Sequence, residues 1–229
     1  MTSGAVTSSR DAASISVQRT ELLQLLVGAV AHELGNLTSP VGLVAATLDG
    51  DLSPAQRTAA SRILRQVAGG MRDLIAVARV IRGGVPSARF APPQLRQLDR
   101  WWNVVRPLLL DLVPSGCAVE CAAPSAPVSA ATLEPLTWVV ASLTRGAGIA
   151  QAQRRTIALA LQPDETKGVL RVAMTIDGIT GSSASTDVQP WLRLARAEVR
   201  RSGGHFRQEH SARGVTWIAL LPNVEAQTP

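Results

Sequence analysis

The chain has 229 residues, with 23 Lys+Arg against 17 Asp+Glu for a formal charge of +6, 46% hydrophobic residues and only 3% aromatic ones. That length suits two modest domains, and without tyrosine the core has to be built from small aliphatic side chains. The charge does not mark a nucleic-acid binder: Lys167 is the only lysine, and the arginines lie among acids without interleaved stacking aromatics. A solvated basic surface, or a docking face for an acidic protein partner, is the better account.

The first seventeen residues are rich in Ser, Thr and Ala and lack the apolar core of a signal peptide, so a flexible N-terminus over 1–17 and a cytoplasmic location are expected. The most apolar stretch, 22–37, contains His32, Glu33 and Asn36 and falls short of the ~20 residues that span a bilayer. It reads as a packed helix, and no membrane association is expected.

Between 23 and 48, Leu23, Val27, Val30, Leu34, Leu37, Val41, Val44 and Leu48 recur at alternating spacings of four and three, the a/d seam of a helix. Asp49-Gly50 suits its end. Ser53 then caps a second helix, with Pro54 in its first position and Gln56 completing a capping box. Ala60, Leu64, Val67, Met71, Leu74, Ala78 and Ile81 repeat the seam up to Gly83-Gly84. The result is an antiparallel helical hairpin over 18–84. A lone hairpin leaves Leu26, Ile63 and Ile75 wet, so a homodimer closing a four-helix bundle is expected.

With Val27 at heptad position a, His32 falls at f, pointing away from the seam. An exposed neutral imidazole is a nucleophile for a phosphoryl group, and a neighbouring carboxylate can hold its other N–H. Ser39 at f and Leu43 at c lie on the same outer face and suit a docking contact, although a stray surface leucine is an equally plain reading of Leu43.

The stretch His32-Glu33-Leu34-Gly35-Asn36-Leu37-Thr38-Ser39-Pro40 resembles the phosphoacceptor box of sensor histidine kinases, which lies on the first helix of a dimerisation and phosphotransfer hairpin. The proline comes later here than in that box, and it removes a backbone N–H just beyond the histidine. By resemblance, Glu33 assists phosphorylation of His32, and Asn36 positions water for dephosphorylating a partner.

From about residue 92 the pattern turns to mixed helix and strand. Helices are expected over 98–112, 132–149 and 191–202, strands over 118–122, 127–128, 156–161 and 169–176, and a terminal hairpin over 205–221. Trp101 and Trp102 should anchor the core of this part or its contact with the hairpin. The ordering is that of an α/β sandwich over 92–224, making the whole chain α+β.

This half resembles the ATP-binding domain of histidine kinases, above all in Leu192 to Phe206 with its Gly203-Gly204 turn and in Gly214 to Pro222. The nucleotide motifs depart from that family. Where it carries Asn-x-x-x-Asn, with the later Asn on magnesium, this chain reads Ser142-Leu143-Thr144-Arg145-Gly146, and glycine offers a metal no side-chain oxygen. Where the family has Asp-x-Gly-x-Gly, Asp177-Gly178-Ile179-Thr180-Gly181 keeps the Asp and loses the central Gly, so Asp177 marks a residual nucleotide-pocket position. The lid that follows is cut to 182–190, without a second Gly-x-Gly to cradle phosphates.

Those losses oppose ATP-driven autophosphorylation, which depends on positioning and on the metal's charge. The resemblance therefore implies a dimeric bacterial histidine phosphotransferase: His32 takes a phosphoryl group from one receiver-domain aspartate and passes it to another. Implied partners are response-regulator receivers and an upstream hybrid histidine kinase. No cofactor or metal is expected on this chain, and magnesium belongs to the receiver. Two alternatives are an active kinase with atypical motifs and a pseudo-kinase that docks regulators without carrying phosphate.

Cys117 and Cys121 have no second Cys or His pair at zinc-like spacing, so a core role is expected. Arg193, Arg196 and Arg200 share a helix face, read as solvated with Glu198 nearby. No role is assigned to His205 or His210.

Overall fold

Two long helices open the chain, each carrying apolar residues at three-and-four spacing. The computed structural model describes residues 3–48, 53–82, 93–150, 156–177, 187–211 and 214–223. Helix α1 (Ser3–Leu48) and helix α2 (Pro54–Arg82) pack against each other as a hairpin. The segment expected to be a flexible N-terminus is helical from Ser3 onward. Its Ala- and Ser-rich composition presents no Pro, and its helix is continued by the packed residues behind it.

The turn into α2 is capped as its residues demand. The Ser53 N–H donates to Gln56 Oε1 at 2.8 Å, and the Gln56 N–H donates to Ser53 Oγ at 3.3 Å. Ser53→Ala should lower stability by about 1 kcal/mol, read as an earlier urea midpoint at unchanged slope. The Asp49-Gly50 and Gly83-Gly84 stops lie outside the described residues, as does the Leu48 side chain.

The seam is rotated from its expected register in the first half of α1. Leu22, Leu26 and Ala29 are buried there, whereas Val27 is 58% exposed. Leu23, Val30, Leu34, Leu37 and Val41 are half-buried, and Val44 is buried. The physical reason is a second neighbour: this helix also packs on the helices of the α/β unit, so its buried stripe turns to serve both. Leu26, expected to be covered by a second copy, is instead buried within the chain, and Ile63 is half-buried. On α2, Ala60, Val67, Leu74 and Ile81 are buried as expected, Met71 and Ala78 are half-buried, and Leu64 and Ile75 are exposed. The last turns of α2 also bury Ala76, Val77 and Val80.

The α/β unit begins with a 3-10 turn (Pro93–Arg96) and continues as α3 (Leu98–Leu110), β1 (Ala118–Ala122), α4 (Ala130–Ala150), β2 (Thr156–Asp164), β3 (Val169–Asp177), α5 (Gln189–Arg201), β4 (His205–His210) and β5 (Gly214–Pro222). The sheet order is β1-β2-β3-β5-β4, with β1 parallel to β2 and every other pair antiparallel. Alternate residues face the core: Ile157, Leu159 and Leu161 on β2, Leu170, Val172, Met174 and Ile176 on β3, and Val215, Trp217, Ala219 and Leu221 on β5. The strand expected at 127–128 is reduced to one bridge between Gln97 and Pro127. Pro127 has no N–H to extend a ladder.

Two devices secure the helices on the sheet. Ser129 caps α4 through Thr132 N–H at 3.2 Å, while its own N–H donates to Asn223 Oδ1 at 2.8 Å, tying the helix start to the end of β5. Helix α5 ends in a Schellman turn, with Gly204 N–H on the Val199 carbonyl at 2.8 Å and Gly203 N–H on that of Arg200 at 3.0 Å. Gly203 adopts φ +78°, and a Cβ on Gly204 would collide with the Leu220 carbonyl oxygen. One buried cluster runs without a break from Leu22, Leu26 and Leu74 in the hairpin through Trp101 and Leu136 to Trp217.

Candidate functional site

His32 stands exposed on the outer face of α1. No hydrogen bond or ion pair among the described residues ties its ring. Asn36, four positions on, is its neighbour on that face, whereas Glu33 lies about 100° round the helix. Asn36 Nδ2 donates to Glu33 Oε2 at 3.2 Å, which draws the carboxylate toward the histidine's side and leaves its other oxygen available. Glu33 is half-buried and Asn36 exposed. The helix runs unbroken through Pro40, whose missing N–H deprives the Asn36 carbonyl of its helical donor. Ser39 and Leu43 are exposed on the same face, Leu43 at 70%. The arrangement can offer an accessible nitrogen nucleophile beside an amide and a carboxylate.

The residues that the resemblance aligns with a nucleotide pocket are arranged differently. Gly146 is buried in α4, and a Cβ placed there would lie 3.3 Å from Trp191 Cβ, 3.6 Å from Val188 Cγ1 and 3.9 Å from Trp217 Cη2. Side chains of α5, the turn before it and β5 therefore fill the space beside the position where a metal-binding asparagine is expected. Arg145 is turned to the Leu112 carbonyl at 3.1 Å and lies 5.8 Å from the Trp191 ring. Gly146 offers no side-chain oxygen to a metal, and a side chain at that position would meet Trp191 closely. Asp177 ends β3, but its side chain lies outside the described residues, as do 178–186 with the rest of that motif and most of the shortened lid.

Other candidates separate clearly. Cys121 is half-buried in β1, and burial pushes its thiol up to about 12, so it stays protonated and unreactive at neutral pH. Cys117 precedes the strand, and both thiols are free. No group of three or more His, Cys, Asp or Glu suited to a metal occurs among the described residues. Trp101 is buried and donates from Nε1 to Thr137 Oγ1 at 3.1 Å; Trp102 is buried beside it. Arg193 and Arg200 are exposed, while Arg196 lies 5.3 Å over the Phe206 ring.

Glu198 lies off that arginine face. It is buried, not solvated, and forms ion pairs with Arg201 of its own helix and with Arg19 of α1. Periodicity pointed to no role for Arg19 or Glu134, because their meeting depends on how the two units pack. The i,i+3 spacing of Glu198 and Arg201 was the only local signal.

No family model and no curated protein matches the chain. It is similar to solved histidine kinase structures. One is the histidine kinase domain of the blue-light activated histidine kinase from Erythrobacter litoralis EL346, at 15% identity and a TM-score of 0.48, covering 90% of this chain and 94% of that one. The longer structure of that kinase gives 14% identity and 0.47, covering 89% of this chain and 60% of that one. The Acinetobacter baumannii histidine kinase AdeS gives 11% and 0.41, covering 82% and 97%. No helix among the described residues is long and apolar enough to cross a membrane.

Proposed function

We propose that this chain is a cytoplasmic histidine phosphotransferase, in which His32 accepts a phosphoryl group from a receiver-domain aspartyl phosphate and returns it to another receiver. A ring nitrogen of neutral His32 attacks phosphorus, the P–O bond to the aspartate breaks, and the carboxylate leaves as a P–N bond forms. Charge developing on the ring is met by the Glu33 carboxylate, which Asn36 holds at 3.2 Å. The reverse attack by a second aspartate restores the imidazole.

The observation that supports this reading over an ATP-dependent kinase is Gly146 itself, which offers a metal no side-chain oxygen and where an added Cβ would lie 3.3 Å from Trp191 Cβ. Phosphorylated receivers mixed with the purified chain should place acid-labile label on it, whereas labelled ATP with magnesium and no partner should not. Label from ATP alone would make the protein a kinase.

The same reading includes a homodimer. Val27, Leu64 and Ile75 are exposed apolar side chains on the hairpin, and Val30, Leu34, Leu74, Ile75 and Ala78 line an open groove of about 250 Å³. A second copy closing a four-helix bundle covers them. Sedimentation should give twice the 24.1 kDa chain mass, and Ile75→Asp should shift it toward the monomer. A monomer at micromolar concentration would count against the bundle.

A further inference from the structure

Four charged side chains meet where the hairpin joins the α/β unit. Glu198 on α5 has 4% of its side chain exposed, and Glu134 on α4 lies beside it, mostly buried. Arg201 grips both carboxylates from within the α/β unit, with Nε on Glu198 Oε2 and NH2 on Glu134 Oε1, each at 2.8 Å. Arg19 reaches the same two from α1, at 3.5 Å to Glu134 Oε1 and 3.5 Å to Glu198 Oε1. Its guanidinium also lies 4.8 Å over the Trp138 ring of α4. Of the four, Arg19 alone crosses between the units.

A carboxylate as buried as Glu198 is costly unless paired, and a planar guanidinium that forks to two acids while stacking on indole fixes one orientation as an ammonium cannot. The internal Arg201 pairs are shorter than the crossing ones and do not depend on α1, and Arg19 itself is 37% exposed. Loss of Arg19 therefore leaves the α/β unit its own ion pairs and removes this charged link between units, while the shared apolar cluster keeps them packed.

The crossing lies thirteen residues before His32, about 20 Å along the helix. Ala29 of the buried stripe is only about 60° round the helix from the histidine. A partner domain of ~100 residues has a radius of gyration of about 13 Å, so one seated on His32 also reaches the neighbouring α/β unit.

We propose that Arg19 is a positioning residue: by bridging Glu134 and Glu198 it latches the α/β unit against α1, presenting a partner docked at His32 with a second surface already in place. This rests on the reading of His32 as a phosphoryl carrier. Hydrogen exchange on the full chain and transfer from a phosphorylated receiver test it together. Arg19→Ala should speed exchange in residues 16–26 and in α5, leave β3 and β5 protected, and shift the melting temperature by less than about 4 °C. If the latched arrangement falls to about one tenth of the population, the KM for the phosphorylated receiver rises about tenfold while kcat holds within about twofold. Arg19→Lys, which keeps the charge without the fork, should recover part of the loss. Unchanged exchange overturns the latch, unchanged KM with faster exchange overturns the positioning role, and protection lost throughout the sheet makes Arg19 merely structural. A wild-type chain that takes no label sinks the carrier reading, while the exchange comparison still decides the latch.

Discussion

On the proposed phosphotransfer, replacing His32 by alanine should remove acid-labile labelling by phosphorylated receivers, with transfer falling by more than about a thousandfold because the proposed nucleophile is gone. The substitution is structurally mild. His32 is exposed and no bond among the described residues holds its ring, and alanine is the better helix former, so melting should be unchanged or slightly raised. That separation gives the experiment its force: activity disappears in a protein that is folded and still associates as the wild type does. Equal labelling of the wild type and His32→Ala would move the acceptor elsewhere. Signalling that survives His32→Ala would favour a docking pseudo-kinase.

Trp101→Ala is expected to have the largest effect on stability, about 4 kcal/mol. The indole is buried in the continuous cluster and its Nε1 donates to Thr137. Thr137 keeps its own bond to the Leu133 carbonyl at 2.7 Å, so the loss is chiefly the packing of a large aromatic in a chain with few of them. Because the cluster includes hairpin residues, helical and sheet signals should fall together in one urea transition. Two separated transitions would show that the units fold independently.

Much of this architecture is written in local signals. The capping box at Ser53 and Gln56 depends on residues three apart, the five residues of β1 appear where their pattern put them, and Gly203-Gly204 ends α5 through bonds to its own last turn. The outward direction of His32 was legible too, since a shift of the seam toward Leu26 still leaves position 32 outside the buried stripe. The seam's true register was not legible: Leu26 and Val27 are both apolar, and periodicity cannot tell which one a second neighbour will cover.

By itself the sequence determined the hairpin, the order of the strands and helices along the chain, and the exposure of His32 and Asn36 on one face, because these follow from spacings within a few residues. Only the tertiary structure decided that Glu198 is a buried ion-pair partner, that Arg19 crosses to meet it, and that Trp191 and Trp217 close over Gly146. Those contacts join residues up to about 180 positions apart, and pairing over such distances is set by how whole elements pack, which no local pattern encodes.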